Sequence, residues 1–213
     1  MTSMNIVVVG AAGGIGRHVA EQALEAGHRV TAFVRDPAKL TLRHERLAIV
    51  RGDVLDGDAV RNAFAGHDAV VSAIGTRSRG ATTLYSDGAR IMLAAMAAEG
   101  IRRYIGISAS GFHRAPNDTF FMRFILKPLV SALLKGHFAD LERMESIVRA
   151  SDRDWTIVAP PQLTDGPRTG SYRASLDVDQ RNARSISRAD VADYIVRHLA
   201  KAEPRPALAF TAY

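Results

Sequence analysis

Glycines with a regular spacing follow the first apolar run of the chain. Gly10 ends the run MNIVVVG, and Gly13 and Gly16 lie where a segment with helical periodicity begins. Glycine allows a tight exit from a strand, a close approach of backbone to a pyrophosphate, and close packing of a helix on a sheet. The helix start then offers unpaired N–H groups to phosphates. The pattern predicts a pyrophosphate site, with an ordinary turn as the alternative, formed by Gly10, Gly13, Gly14, Ile15 and Gly16.

Arg35 follows Gly16 by nineteen residues, at the predicted end of the second strand. An acidic residue there would accept hydrogen bonds from a ribose 2′-hydroxyl, whereas arginine offers a planar fork of donors to a 2′-phosphate. Lys39, one helical turn later, adds a second cation on the same side. The alternatives are that both are solvated surface charges, or that Asp36 carries part of an NAD-type role. The sequence favours NADPH or NADP⁺ over NAD as the cofactor.

Two further pairs of residues are placed near this cofactor by the order of the elements alone. Asp53 and Val54 follow the predicted third strand, where they would meet the adenine side. Ile74 and Gly75 follow the fourth strand, where small residues would let the adenosine half lie across the strand end. All four are predicted to bind the cofactor because of their position in the fold.

Apolar, β-branched runs alternate with helical stretches along most of the chain. The predicted strands are MNIVVVG, RVTAFVR, LAIVRGDV, DAVVSAIG, RRYIGIS, DWTIVAP and ALAFTAY. The predicted helices are GIGRHVAEQALEAG, DGDAVRNAFAG, DGARIMLAAMAAEG and SRADVADYIVRHL, and Ser187 and Asp190 form a capping-box pattern in the last. Strands that are apolar on both faces indicate a parallel sheet covered on both sides. We expect an α/β fold, a Rossmann-type doubly wound parallel sheet with helices on both faces, as a single domain over residues 1–213.

The composition limits the classes of function. The 213 residues are 47% hydrophobic and include no cysteine, which excludes a disulfide framework and thiolate chemistry and leads us to expect a cytoplasmic protein. The formal charge of +6 is scattered and has no aromatic–basic motif beside it, so we expect no nucleic-acid partner. There is no secretory signal pattern and no apolar run that could span a bilayer. The seven histidines form no pair with metal-ligand spacing, so no metal site is predicted.

Several stretches together resemble a known family. The chain resembles the atypical short-chain dehydrogenases with an NmrA-like NAD(P)-binding domain and, within them, the NADPH-dependent flavin reductases that are also called biliverdin-IXβ reductases. The resemblance covers most of the length and is carried by the glycine triad, VRDPAKL with Arg35 and Lys39, GDVLD at 52–56, GTR at 75–77, SDGARIMLAAM, Ser108, APPQLTDGPRTGSY at 159–172 and ISRADVADYIVRHL. It implies NADPH bound along the carboxyl edge of the sheet, with a hydride delivered to a flavin, a quinone or a linear tetrapyrrole.

The resemblance also implies which residues lie at the reacting end. Ser108 follows the strand RRYIGIS and would face the nicotinamide and the substrate as a hydrogen-bonding group; the alternative is a serine that caps the loop. Pro160 and Pro161 would stiffen the loop under the nicotinamide; the alternative is that they simply end the strand. Gln162 stands where close relatives carry a histidine, and an amide orients a substrate but does not titrate near neutral pH. This departure disfavours tetrapyrrole reduction more than flavin reduction.

A second departure concerns the proton-transfer pair of ordinary short-chain dehydrogenases, a tyrosine with a lysine four residues later. Tyr85, Tyr104, Tyr172 and Tyr194 are followed at that spacing by alanine, serine, leucine and histidine. We therefore expect a flat conjugated acceptor that needs alignment more than acid assistance. The alternative is a non-catalytic NADP(H)-sensing regulator of the NmrA type that acts through a protein partner. An isomerase or epimerase of sugar nucleotides is disfavoured by the absent pair.

One stretch fits neither a core strand nor a motif. TFFMRFILKPLVSALLK, residues 119–135, is strongly apolar and is interrupted by Pro128, so we predict an apolar helical insertion at about residues 113–137. The segment could cover the mouth of the site, contact a second copy, a protein partner or a membrane surface, or pack on its own sheet. Phe33, Trp155 and Phe210 fall within apolar strand patterns and are predicted to lie in the core.

Overall fold

The computed structural model describes residues 3–76, 80–112, 135–178, 183–199 and 207–213. The strands in these ranges are β1 (Asn5–Val9), β2 (Arg29–Val34), β3 (Leu47–Arg51), β4 (Ala69–Ser72), β5 (Arg103–Ile107), β6 (Asp154–Ala159), β7 (Gln162–Thr164), β8 (Arg173–Leu176), β9 (Ser185–Ser187) and β10 (Ala207–Ala212). The helices are α1 (Gly14–Glu25), α2 (Gly57–Phe64), α3 (Leu84–Ala98), α4 (Lys135–Arg149) and α5 (Arg188–His198). Short 3₁₀ turns cover Pro37–Lys39 and Ser110–Phe112.

Eight strands form the main sheet, in the order β3-β2-β1-β4-β5-β6-β10-β8. The neighbouring strands from β3 to β10 are parallel, and β8 pairs antiparallel with β10. The strand order reverses between β1 and β4, which leaves a crevice at the carboxyl ends of these strands. The predicted doubly wound α/β fold is confirmed, with one antiparallel edge strand added to the predicted parallel sheet.

Helices cover both faces of the sheet. In β1, Ile6 and Val8 point into the core beneath α1 and α5, whereas Val7 and Val9 point into the core beneath α2, α3 and α4. All four side chains are fully buried, which explains why this strand is apolar at every position instead of alternating. The prediction of core positions is also confirmed for three aromatic residues, Phe33, Trp155 and Phe210.

Four elements of the structure are absent from the sequence prediction. Three are the strands β7, β8 and β9, of which β7 and β9 form a separate two-stranded sheet; each has only three or four residues, too few to show a period. The fourth is α4, in which Leu141, Met144 and Val148 are buried at helical spacing. That spacing is a signal in the sequence that predicts α4.

The predicted apolar insertion at about residues 113–137 falls mainly on 113–134, outside the described residues. Lys135 begins α4, so the last three residues of the predicted insertion belong to that helix. The predicted contact segment 119–135 likewise lies outside the described ranges except at this last position. Its roles as a cover or a contact surface stay predictions.

Candidate functional site

The chain turns sharply after β1 at Gly10, whose φ of +84° is a backbone conformation that favours glycine. A Cβ on Gly10 would lie 2.6 Å from the carbonyl oxygen of Ala73, in the loop after β4. A Cβ on Gly16 would collide with the carbonyl oxygen of Gly10, and the N–H of Gly13 donates to that oxygen at 2.9 Å. Close packing of the backbone thus requires glycine at positions 10 and 16, as the predicted motif does.

Helix α1 begins without a side-chain cap. Gly13 occupies the N-cap position, and its carbonyl oxygen accepts the hydrogen bond of Arg17 N–H at 2.9 Å. The N–H groups of Gly14 and Ile15 lie ahead of this bond and need partners from outside the helix. Gly13 and Gly14 are exposed, so an anion can reach these donors. This exposed start fits the pyrophosphate of a dinucleotide, and the binding roles of these residues stay predictions.

Three cations and one carboxylate lie at the ends of β2 and β3. Arg35 is exposed directly after β2, and Arg51, which sequence reasoning missed, ends the adjacent strand. The ammonium of Lys39 lies 3.2 Å from Asp36 Oδ2. The hydrogen bond from Lys39 lowers the pKa of the Asp36 carboxyl most, and the hydrogen bond from the N–H of Ala38 lowers it further. Asp36 is therefore bonded within its own turn, beside the exposed Arg35.

The residues predicted on the adenine side divide into two groups. Asp53 and Gly75 are exposed, and Asp53 Oδ1 accepts a hydrogen bond from Leu55 N–H at 3.0 Å. Val54 is buried, and a Cβ on Gly88 of α3 would lie 3.3 Å from Val54 Cγ2 and 3.2 Å from Ile74 Cδ1. The structure brings the side chains of Val54 and Ile74 together against α3. Of the four residues, Asp53 alone has a polar side chain.

A buried hydrogen bond fixes the hydroxyl of Ser108 at the carboxyl end of β5. Ser108 Oγ donates to Oε1 of Glu145 on α4 at 2.6 Å, and both side chains are buried. Arg149, one turn further along α4, contacts the other carboxylate oxygen at 3.3 Å. Sequence reasoning missed Glu145 because it approaches from an element 37 residues away. The hydroxyl of Ser108 is therefore held in place by the carboxylate of Glu145 on α4.

The loops after β5 and β6 run side by side. The N–H of Ser108 donates to the carbonyl oxygen of Val158 at 2.8 Å, and the N–H of Ser110 donates to that of Pro160 at 3.0 Å. Pro161 is half-buried, and Gln162 is exposed as the first residue of β7. These bonds bring the loop that carries Ser108 next to the loop that leads to Gln162.

A second buried polar cluster joins α3 to α4. Asp140, fully buried, accepts hydrogen bonds from the N–H of Tyr85 at 2.9 Å and from the Ser86 hydroxyl at 2.5 Å. The hydroxyl of Tyr85 lies 2.8 Å from Nε2 of His137, and burial raises the pKa of Tyr85. Because Asp140 and Glu145 lie on the same helix, this cluster fixes the helix that carries the partner of Ser108.

A cavity of about 460 Å³ lies elsewhere, between β8 and α5, and its lining includes Tyr172, Tyr194 and His198. None of the predicted cofactor residues lines it, so the candidate site is assigned to the carboxyl edge, where the exposed helix start and Ser108 lie. Within the described ranges no group of three or more His, Asp or Glu side chains could hold a metal ion. The helices described for this chain include none with the length and apolar character of a membrane span.

Comparison with known proteins identifies the family. Residues 10–202 match the family described as NAD(P)H-binding. The chain belongs to this NAD(P)H-binding family. It is 29% identical over 208 residues to the uncharacterized protein YwnB of Bacillus subtilis, covering 94% of this chain and 92% of that protein. It is 30% identical over 207 residues to the uncharacterized sugar epimerase YhfK of the same organism, covering 92% and 88%.

Solved structures of similar proteins agree with this family membership. A short-chain dehydrogenase/reductase from Veillonella parvula, in complex with NADP, superposes with a TM-score of 0.82 at 18% identity, over all of this chain and 95% of that one. A Streptococcus pneumoniae protein provisionally named an NADH-flavin reductase gives a TM-score of 0.77 at 24% identity, over 99% of both chains. At these identities the likeness establishes the fold. The NAD(P)-binding domain that the resemblance predicts is confirmed.

Proposed function

We propose that this chain is an NADPH-dependent reductase that transfers a hydride to a flat conjugated acceptor such as a flavin or a quinone. Membership of the NAD(P)H-binding family supports the cofactor class and a reaction that uses this cofactor. The acceptor class rests on one observation, the hydrogen bond from the buried hydroxyl of Ser108 to Glu145. The missing tyrosine and lysine pair agrees with it.

The chemistry at Ser108 follows from where its proton lies. A hydroxyl has one proton, and Ser108 donates it to the carboxylate of Glu145. The oxygen lone pairs of Ser108 then remain available, and they can accept a hydrogen bond from an N–H group of the cofactor or acceptor. Such a residue aligns the reactants and does not protonate them.

A flavin or a quinone suits a site of this kind. When bound, NADPH supplies the hydride, which carries two electrons and one proton, and NADP⁺ is left. The acceptor takes up the hydride, and water supplies the remaining proton that completes its reduction. Ser108, with Gln162 on the adjacent loop, would hold the two rings in register.

The choice of NADPH over NADH is also part of this proposal. Arg35 and Arg51 are both exposed at the corner where the 2′-phosphate of a bound cofactor would lie. Lys39 adds a third cation, although Asp36 neutralises part of its charge. A planar guanidinium binds a phosphate dianion with paired hydrogen bonds, so Arg35 carries the preference.

The proposal is tested by following NADPH at 340 nm with FMN, riboflavin or a benzoquinone, and with NADH in parallel. We expect acceptor-dependent oxidation with NADPH preferred. Ser108→Ala should lower kcat by about tenfold, the effect of one hydrogen bond lost from the transition state, with little loss of NADPH affinity. Ser146→Ala is the matched control, because the hydroxyl of Ser146 bonds its own helix on the exposed side of α4, next to Glu145.

Tight NADPH binding without any acceptor-dependent oxidation would contradict the reductase. It would favour the NADP(H)-sensing regulator, which signals occupancy to a protein partner. The apolar segment 119–135 is the proposed contact for that partner or for a second copy of the chain. Chemical crosslinking of the protein with and without NADPH would test this contact.

A further inference from the structure

The side chain of Arg188 lies over the start of helix α1. Arg188 is the first residue of α5. A Cβ built on Gly14 would lie 2.6 Å from Arg188 Cδ and 2.8 Å from its Nε. The guanidinium therefore lies beside the exposed helix start, and glycine at position 14 leaves the space that the arginine occupies.

The fold holds Arg188 in this position. α5 packs on α1, and Nε2 of Gln22 donates to the carbonyl oxygen of Ala189 at 2.9 Å. The fully buried Ser187 accepts a hydrogen bond from the N–H of Asp190 at 3.0 Å, which caps the first turn of α5. The backbone of Arg188 is thus fixed against α1 before any ligand binds.

The partner of Arg188 in this structure is replaceable. Nη1 of Arg188 donates to Oδ1 of Asp165 at 2.6 Å, and the side chain of Asp165 is 90% exposed. An ion pair this exposed contributes little to stability, so stability alone does not account for an arginine held over a helix start. The pyrophosphate of a dinucleotide carries two negative charges, and its oxygens accept the hydrogen bonds of a guanidinium as a carboxylate does.

We infer that Arg188 binds the pyrophosphate of the dinucleotide, exchanging Asp165 for a phosphate oxygen. The N–H groups at the start of α1 would contact one side of the pyrophosphate, and the guanidinium from α5 would close over it. A side chain at position 14 would displace the end of the Arg188 side chain from this place. This inference rests on the proposed function for its ligand but not on turnover.

The test is the dissociation constant for NADPH and for NADH, measured by nicotinamide fluorescence in the absence of an acceptor. Arg188→Gln should weaken both by about tenfold, because both contain the pyrophosphate and one charge-assisted contact is lost. Arg35→Gln should weaken NADPH alone. Arg90→Gln is the matched control and should change neither, since it removes the same charge from an exposed pair with Asp87 on the opposite layer.

A second variant separates contact with the cofactor from support of the loop. Asp165→Asn removes the competing carboxylate and should bind NADPH at least as tightly as the wild type. A loss equal to that of Arg188→Gln would overturn the inference, because the ion pair would then be needed for structure. Unchanged affinity in Arg188→Gln would overturn it as well.

The failure of this inference is distinguishable from the failure of the proposed function. A wild-type protein that binds NADPH but does not oxidise it contradicts the reductase, whereas the Arg188→Gln titration still decides the inference. A wild-type protein that binds neither dinucleotide overturns both.

Discussion

At the scale of single residues, the hydrogen bond between Ser108 and Glu145 determines what the reacting end can do. A carboxylate accepts hydrogen bonds and donates none, so it fixes the direction of the serine proton. An amide in its place can donate to Ser108 and turn that proton toward the site. The identity of residue 145 is therefore as important as that of Ser108 itself.

The change Glu145→Gln tests this positioning role. We expect kcat with FMN to fall by about tenfold while the dissociation constant for NADPH stays unchanged, because Glu145 acts through Ser108 at the predicted reacting end. Combining it with Ser108→Ala should add no further loss, since the two changes remove one interaction. Steady-state kinetics with NADPH titration measures both. Glu142→Gln, exposed on the same helix, is the control, and additive losses in the double variant would contradict the role.

Arg35 is expected to set the preference for the 2′-phosphate. Arg35→Gln should raise the dissociation constant for NADPH by about tenfold or more and leave that for NADH nearly unchanged, because only NADPH has the 2′-phosphate. Lys39→Gln should have a smaller effect because its ammonium is exposed and paired with Asp36. Parallel fluorescence titrations provide the comparison. Equal losses of NADPH and NADH in Arg35→Gln would assign Arg35 to another part of the cofactor.

At the scale of elements, the start of α5 is held by a polar network that the predicted capping box describes only in part. Ser187 caps the N–H of Asp190 as predicted. The Asp190 carboxylate does not return to Ser187: it accepts hydrogen bonds from Thr169, Gly170 and the hydroxyl of Tyr213. The network thus joins the loop before β8 to the end of the chain.

Asp190 should make folding stability depend on pH at the acid end. Burial acts to raise the pKa of its carboxyl, but the bonds from Thr169, Gly170 and Tyr213 outweigh burial and lower it below the ordinary value of 3.8. The stabilisation is therefore present above pH 3.8 and is lost as the pH falls through the lower pKa of the folded state. Asp190→Asn should lower the free energy of unfolding at pH 7 by about 1–3 kcal/mol and flatten its acid dependence. Urea unfolding at several pH values measures this, with the exposed Asp58→Asn as control; an unchanged acid slope would contradict it.

The elements also show how far the sequence predicts this structure. The glycine triad, Arg35 and Ser108 are placed by local order, because each directly follows a strand whose apolar pattern is clear. Glu145, Arg51 and Arg188 are not, since each reaches the site through the packing or register of another element. Periodicity predicts that a helix exists but not which of its polar residues meets a distant strand end. The short strands β7 and β9 are similarly fixed by pairing and not by local preference.

At the scale of the whole molecule, the candidate site lies at the carboxyl ends of the strands, the carboxyl edge of the sheet, and stabilising contacts lie at the amino ends, its amino edge. The carboxyl edge carries the exposed Gly13, Gly14 and Arg35, with Ser108 buried at the end of β5. At the amino ends of β5 and β6, Arg103, the first residue of β5, makes buried contacts. Its guanidinium donates to the carbonyl oxygen of Asp154, to the hydroxyl of Thr156 and to the carbonyl oxygen of His198 at the end of α5. One side chain thus joins β5, β6 and α5.

This division predicts that stability and cofactor affinity can be changed separately. Arg103→Met should lower the free energy of unfolding by about 2 kcal/mol or more, because it leaves buried carbonyl and hydroxyl groups without their donor, whereas the affinity of the folded protein for NADPH should not change. Thermal unfolding and fluorescence titration of the same sample measure the two quantities. Arg102→Met is the matched control: the neighbouring arginine bonds Asp154 on the surface, and its loss should alter neither quantity appreciably. Weakened NADPH binding in folded Arg103→Met would show that the two edges are coupled through the sheet.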